Sequence, residues 1–327
     1  MRAVRHHRFG PPEVLVLDEV PDPEPGPGEV RIAVAAAGVH VLDTAIRSGA
    51  SGGPFPLPEL PTIPGREVAG TIDRVGADVD PSWLGQRVVA HLGPASRGYA
   101  ELAVAPVTAL HALPEGLDEA DAVASIGTGR TAFGIAEAAA ITPDDVVLVT
   151  AAAGGLGVVL VQIAANVGAT VVGVAGGPRK VEVVAHQGAD VAVDYSVGGW
   201  TDEVRRRLDG REVSVVLQAV GGDLARDALG LLGDKGRVVT YGWSGGDGPV
   251  ELNDQQVERG IEQIDDLGRR IMGRPGGMRD LEDAALEAAA SGEVAPLVGQ
   301  VFPLADAASA HKAVETRATI GKTVLRP

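Results

Sequence analysis

Between Val146 and Pro178 the chain carries no charged residue. The stretch is long enough to cross a bilayer. However, Gly154, Gly155, Gly157, Gly168, Gly173, Gly176 and Gly177 break it, and it holds Gln162 and Asn166. It reads instead as a buried strand, a tight turn, a helix and a second strand. The strand is predicted over 146–150 and the helix over 155–167, stopped by Gly168. The second strand is predicted over 170–174. The alternation continues with a helix over 179–187 and strands over 191–194, 213–220 and 237–241. Strands and helices alternating in this way predict an α/β fold built on a doubly wound parallel sheet.

Residues 1–110 differ. Short Val-rich or alternating runs at 14–20, 29–35, 67–75, 86–90 and 99–104 predict strands, separated by Pro- and Gly-rich turns. The turn over 48–64 is long enough to suggest a functional loop. An Ala-rich helical stretch over 119–140, broken at 128–131, joins the halves. After residue 250, helices are predicted over 255–272, 278–291 and 305–316, then a strand over 322–325. The expected domains are 123–265 for the parallel sheet and 1–122, completed by 266–327, for the β-rich part.

Composition narrows function. The net charge of −16 opposes binding to nucleic acid or an anionic membrane. The absence of cysteine removes disulfides, thiolate metal sites and a Cys nucleophile. The basic N-terminus has no apolar core behind it, so no signal peptide is read and a cytoplasmic location is expected. Arginine outnumbers lysine 24 to 4, a coding bias that suits a GC-rich bacterial source.

The turn after the first strand reads Ala151-Ala152-Ala153-Gly154-Gly155-Leu156-Gly157. Glycines there let a pyrophosphate approach the backbone, and the following helix offers free N–H groups and a positive dipole end. A dinucleotide fold that prefers NAD places an acid at the end of the second strand. Here that end is Ala175-Gly176-Gly177, followed by Arg179 and Lys180. Two cations attract a 2′-phosphate where a carboxylate would repel it, so NADPH is the expected cofactor.

The whole chain resembles the medium-chain dehydrogenase/reductase superfamily, in particular its zinc-independent quinone oxidoreductase branch. Residues 147–195 carry the resemblance most closely. Ala37-Gly38-Val39, Ile63-Pro64-Gly65, Gly85-Gln86-Arg87-Val88 and Gly98-Tyr99-Ala100-Glu101 support it at the N-terminal side, and Gly321-Lys322-Thr323-Val324-Leu325 at the C-terminal side. The resemblance implies a GroES-like substrate domain beside a Rossmann domain, with the active site in the cleft between them. It implies that Gly154, Gly155, Leu156 and Gly157 meet the pyrophosphate, and that Gly177, Lys180, Tyr195 and Arg317 hold the 2′-phosphate or adenine ribose. Thr131, Gly242 and Trp243 are expected near the nicotinamide end. It also implies a homodimer paired through a sheet edge near 237–241 and 243–250.

Zinc-dependent members of that superfamily use a Cys after the Gly-Val pair and a Gly-His-Glu triplet. Here His40 and Gly65-Arg66-Glu67 stand in those places, and one imidazole with one carboxylate does not make a tetrahedral site, so no metal is expected. Gln218 replaces a commoner acid. Candidates to protonate or stabilise a reduced acceptor are His40, Arg47 and Tyr241, the histidine because an imidazole can yield a proton at neutral pH. Three functions follow in order. The first is hydride transfer from NADPH to a quinone. The second is reduction of a conjugated double bond in an enone or enoyl thioester. The third is NADPH binding without catalysis.

Overall fold

The computed structural model describes residues 1–50, 56–242, 244 and 248–327. The chain forms two compact units, one of Met1–Gly127, Leu286–Gly292 and Pro296–Pro327, the other of Thr128–Ala285 and Glu293–Ala295.

The first unit opens with β1 (Arg2–Arg5) and β2 (Val16–Glu19), an antiparallel pair. Then come β3 (Glu29–Val39), α1 (Val41–Ser48), β4 (Glu67–Val75), β5 (Arg87–His91), β6 (Leu102–Pro106), β7 (Leu110–Ala112) and α2 (Glu119–Ile126). Asp118 caps α2 by accepting from Asp121 N–H at 2.7 Å. This helix packs on β3, β4 and β5, which places it in the first unit and moves the boundary from the expected 122 to Gly127.

The second unit runs through α3 (Thr128–Ala139), β8 (Val146–Val149), α4 (Gly155–Val167), β9 (Thr170–Ala175), α5 (Pro178–His186), β10 (Val191–Asp194), α6 (Trp200–Leu208) and β11 (Val213–Gln218). It continues through α7 (Gly222–Leu229), β12 (Leu232–Thr240), α8 (Asp254–Glu258), β13 (Glu262–Ile264), α9 (Leu267–Gly273) and α10 (Gly277–Ser291), which passes into the first unit. The six strands form one sheet in the order β10-β9-β8-β11-β12-β13, parallel throughout. Counted along the unit, that is 3-2-1-4-5-6, the Rossmann order. β8 is buried at every residue, as a central parallel strand covered on both faces must be.

Three expectations change here. The predicted helix over 255–272 is interrupted: Gly260, with φ of 72°, follows α8, and Ile261 and Ile264 bury against the sheet around β13. The end strand of the sheet is therefore β13, and β12, expected as the pairing edge, lies inside it. The exit from the second unit falls at Ala285 rather than 265, because α9 packs on α3.

The chain then returns to the first unit with β14 (Val298–Pro303), α11 (Ala307–Glu315) and β15 (Lys322–Arg326). β15 pairs parallel with β14 and antiparallel with β3, so the last strand of the chain lies inside the sheet β14-β15-β3-β4-β5-β7.

Candidate functional site

In the second unit the strand order reverses between β8 and β11, and ligands of open parallel sheets bind beyond the carboxyl ends at such a point. Thr150 joins the two strand ends. Its Oγ1 accepts from Ala219 N–H at 2.8 Å and donates to Gln218 Oε1 at 2.8 Å. Gln218 Oε1 also accepts from Val220 N–H at 3.1 Å, so the glutamine braces the turn after β11. Ala151 turns the chain with φ of 50°, and Gly154 caps α4 without a side-chain hydrogen bond. No acid stands in the first turn of α4. The N–H groups of Gly155, Leu156 and Gly157 have no carbonyl of their own helix to bond, which suits an anion. A Cβ on Gly157 would lie 2.7 Å from Ala152 Cα, so only glycine lets the helix start this close to the strand.

The lip beyond β9 carries the second group of expected residues. Gly177 has φ of 89° and caps α5, which begins with Pro178 and has no acid in its first turn. Arg179 is exposed and Lys180 half-buried on that turn. The Tyr195 ring lies against the lip, since a Cβ on Gly176 would come 3.1 Å from its hydroxyl. Gly177, Lys180 and Tyr195 are thus brought to one end of the sheet. Sequence reasoning missed Asp194 there, whose Oδ1 accepts from Gly177 N–H at 2.9 Å. That bond and those from Ser196 hold its carboxyl below the usual range. Thr131 lies in the first turns of α3 and Gly242 just after β12, both half-buried in the same unit. Trp243 lies outside the described residues, and Arg317 belongs to the first unit, exposed after α11.

The first unit builds a charged cluster at the end of β3. The antiparallel register sets Thr323 opposite Val39 and, across β4, Val68 opposite Ala37. The neighbouring residues His40, Lys322 and Glu67 therefore converge. His40 Nε2 lies 2.7 Å from Glu67 Oε2, Lys322 Nζ donates to the same oxygen at 2.9 Å, and Lys322 Nζ lies 3.0 Å from His40 Nε2. A Cβ on Gly38 would come 3.0 Å from Lys322 Cε, so glycine leaves room for the lysine to enter. Burial opposes a charged Glu67, but His40 and Lys322 outweigh it and hold the carboxyl far below the usual range. The side chain of His40 is 24% exposed, against 0% for Glu67 and 5% for Lys322, so the cluster meets the surface through the imidazole.

Arg66, in the place of the family's histidine ligand, is buried with Nε 3.8 Å from Asp43 Oδ1. Asp43 in turn accepts from His40 N–H at 2.9 Å and from the Tyr99 hydroxyl at 3.3 Å. Among the described residues no three His, Cys, Asp or Glu side chains are grouped to hold a metal ion. Lysine and arginine, which are not metal-ligating as cations, stand beside the two buried carboxylates.

Two expected catalytic residues face inward. Arg47 is 1% exposed, ion-paired with Glu315 and donating to Thr44 O at 3.3 Å. It adjoins His311, whose pKa is pushed down to about 3 by burial first and the Arg47 charge second. Tyr241 has a buried hydroxyl with no hydrogen-bond partner among the described residues, and burial makes it a weaker acid than an ordinary tyrosine. The His40 side chain is partly exposed, whereas Arg47 and the Tyr241 hydroxyl are buried.

The family model described as zinc-binding dehydrogenase matches residues 187–325, and that described as alcohol dehydrogenase GroES-like domain matches residues 26–115. A quinone oxidoreductase of Sus scrofa is 31% identical over 329 residues, covering 99% of this chain and 97% of that protein. A 2-haloacrylate reductase of a Burkholderia species is 32% identical over 338 residues, covering 98% and 97%. The crystal structure of Escherichia coli quinone oxidoreductase complexed with NADPH superimposes with a TM-score of 0.88 at 28% identity, covering 100% of both chains.

Proposed function

The chain belongs to the quinone oxidoreductase family of the medium-chain dehydrogenase/reductase superfamily, and we propose from that premise that it reduces a quinone with NADPH and without zinc. The observation that carries the cofactor is the lip after β9, where neither the strand end nor the first turn of α5 has an acid and Arg179 and Lys180 stand on that turn. The residues fit a dinucleotide. The cradle at Gly157 would be filled by any larger side chain, and the N-termini of α4 and α5 both point N–H groups outward without an acidic residue. Gly154, Gly155, Leu156 and Gly157 would hold the pyrophosphate, and Gly177, Lys180 and Tyr195 the 2′-phosphate end. When bound, NADPH supplies the hydride.

The chain's own residues orient, exclude water and move a proton. A quinone that accepts hydride gains negative charge on oxygen and needs a proton. We assign that proton to His40, the exposed member of the cluster with Glu67 and Lys322. In the same reading, Lys322 and Arg66 take the electrostatic place of a metal. The first unit is the substrate domain and the second the NADP-binding domain. The molecule is a cytoplasmic homodimer paired through β13, supported by the position of that strand at the end of the sheet.

A second acceptor class is a conjugated carbon–carbon double bond, favoured by the likeness to the 2-haloacrylate reductase. The test is oxidation of NADPH at neutral pH with a panel of quinones, 2-haloacrylates, enones and enoyl thioesters, each repeated with NADH. Fastest turnover with quinones supports the first reading, and with activated alkenes the second. Binding of NADPH without turnover on any of them would leave a cofactor-binding protein.

A further inference from the structure

We propose that Asp194 is a positioning residue that makes the lip after β9 selective for a 2′-phosphate, an inference that rests on the NADPH reading. From sequence alone an acid at this end of the sheet reads as a repulsive charge. The geometry gives it another part. Asp194 ends β10 directly opposite Ala175, the last residue of β9. Its Oδ1 takes three donors, Gly177 N–H at 2.9 Å, Ser196 N–H at 2.9 Å and Ser196 Oγ at 2.6 Å. The next peptide adds Tyr195 N–H to Ala175 O at 3.1 Å.

Gly176 and Gly177 form a two-glycine hinge, the second at φ of 89°, and α5 with Arg179 and Lys180 begins directly after it. Pro178 has no N–H, so the Gly177 amide is the last donor before the helix that can be tied down. The bond to Asp194 fixes that peptide plane and with it the direction in which α5 presents its first turn. Meanwhile three donors on one oxygen engage the carboxylate within the turn itself. Freeing the hinge would return the backbone entropy of about two residues, enough to weaken a phosphate contact by about tenfold.

The experiment measures NADPH and NADH dissociation constants by fluorescence titration of the full chain, wild type, Asp194→Asn and Asp194→Ala, with Tm recorded for each. An asparagine keeps an oxygen for the Gly177 amide. The expected result is an Asp194→Ala protein about tenfold weaker for NADPH and within about twofold for NADH, with Asp194→Asn near wild type. Tighter NADPH binding by both variants would show repulsion and overturn the proposal. So would an unchanged Asp194→Ala, or an equal loss for both cofactors with a lowered Tm. A wild-type protein that does not prefer NADPH would sink the cofactor reading and this proposal together, whereas a retained preference with no effect of Asp194→Ala sinks this one alone.

Discussion

Replacing Lys322 by methionine removes the cation from a carboxylate that has no surface of its own. Glu67 is 0% exposed and Lys322 Nζ donates to its Oε2 at 2.9 Å. Taking one partner from a buried pair costs about 3–5 kcal/mol. His40 Nε2 stays 2.7 Å from the same oxygen, which puts this case near the lower end, at about 3 kcal/mol. In a unit of this size that corresponds to a Tm lower by about 6–12 °C. The pH dependence has a definite sign. In the wild type the folded carboxyl titrates far below its unfolded value of about 4.3, so its contribution is present above that value and lost only as pH falls through the folded one. In Lys322→Met one of the two cationic neighbours is gone and His40 remains, so the folded value moves back toward about 4.3. The variant then makes less of the contribution that is present above about 4.3 and lost in acid. The deficit against wild type should therefore be wide from about pH 8 down to about pH 5 and narrow as pH falls below about 4. Lys322→Met/Glu67→Gln, which has no charge to strand, should recover part of the loss. Differential scanning fluorimetry across that range reads all three proteins. A Lys322→Met protein within about 2 °C of wild type at every pH would refute the account of Glu67 as a carboxylate kept ionised by its neighbours.

Three further outcomes are expected. Lys180→Ala should raise the NADPH dissociation constant by one to two orders of magnitude, about 1.5–3 kcal/mol, and leave that for NADH nearly unchanged; equal losses would remove Lys180 from the 2′-phosphate site. His40→Ala should lower kcat by roughly 10²–10⁴ while leaving cofactor affinity intact, and an unchanged kcat would move proton supply elsewhere. Activity should be indifferent to added zinc and to strong chelators, so stoichiometric metal that leaves together with activity would contradict the part given to Lys322 and Arg66.

The second unit was largely legible because its signals are local. A charge-free strand, three glycines and a helix stop lie within one continuous run of residues, and α4 and β9 end at Gly168 and Gly176. β13 escaped because it is three residues long and polar around Gln263, and only its position beside β12 makes it a strand. The charged cluster of the first unit was not legible as a cluster. His40, Glu67 and Lys322 were each visible, but antiparallel register brings them together over separations of up to 282 residues. Arg47 shows a different failure. Helix α1 buries Asp43, Thr44 and Arg47 and leaves Val41 57% exposed, the reverse of what its polarity suggests. The sequence names the guanidinium but not the inward face on which it sits. At the lip, the sequence shows no acid at the end of the strand before Arg179 and Lys180, while Asp194, from the next strand, became visible only through the pairing of β10 with β9.

Because β15 lies between β14 and β3, the two units are completed at different moments of synthesis. All strands of the parallel sheet have left the ribosome by Ile264, and nearly the whole second unit by Ala295. The first unit, although begun earlier, waits for β15. Until Lys322 emerges, the end of β3 over 37–39 lacks its β15 partner and Glu67 lacks the ammonium that balances it. At about 5–20 residues per second, the 255 residues between the two represent a delay of roughly 13–50 s. A nascent chain is therefore a finished C-terminal-side domain tethered to an open β-sheet. A stop before β15 would release a chain whose second unit is sound and whose first unit lacks a strand of its sheet.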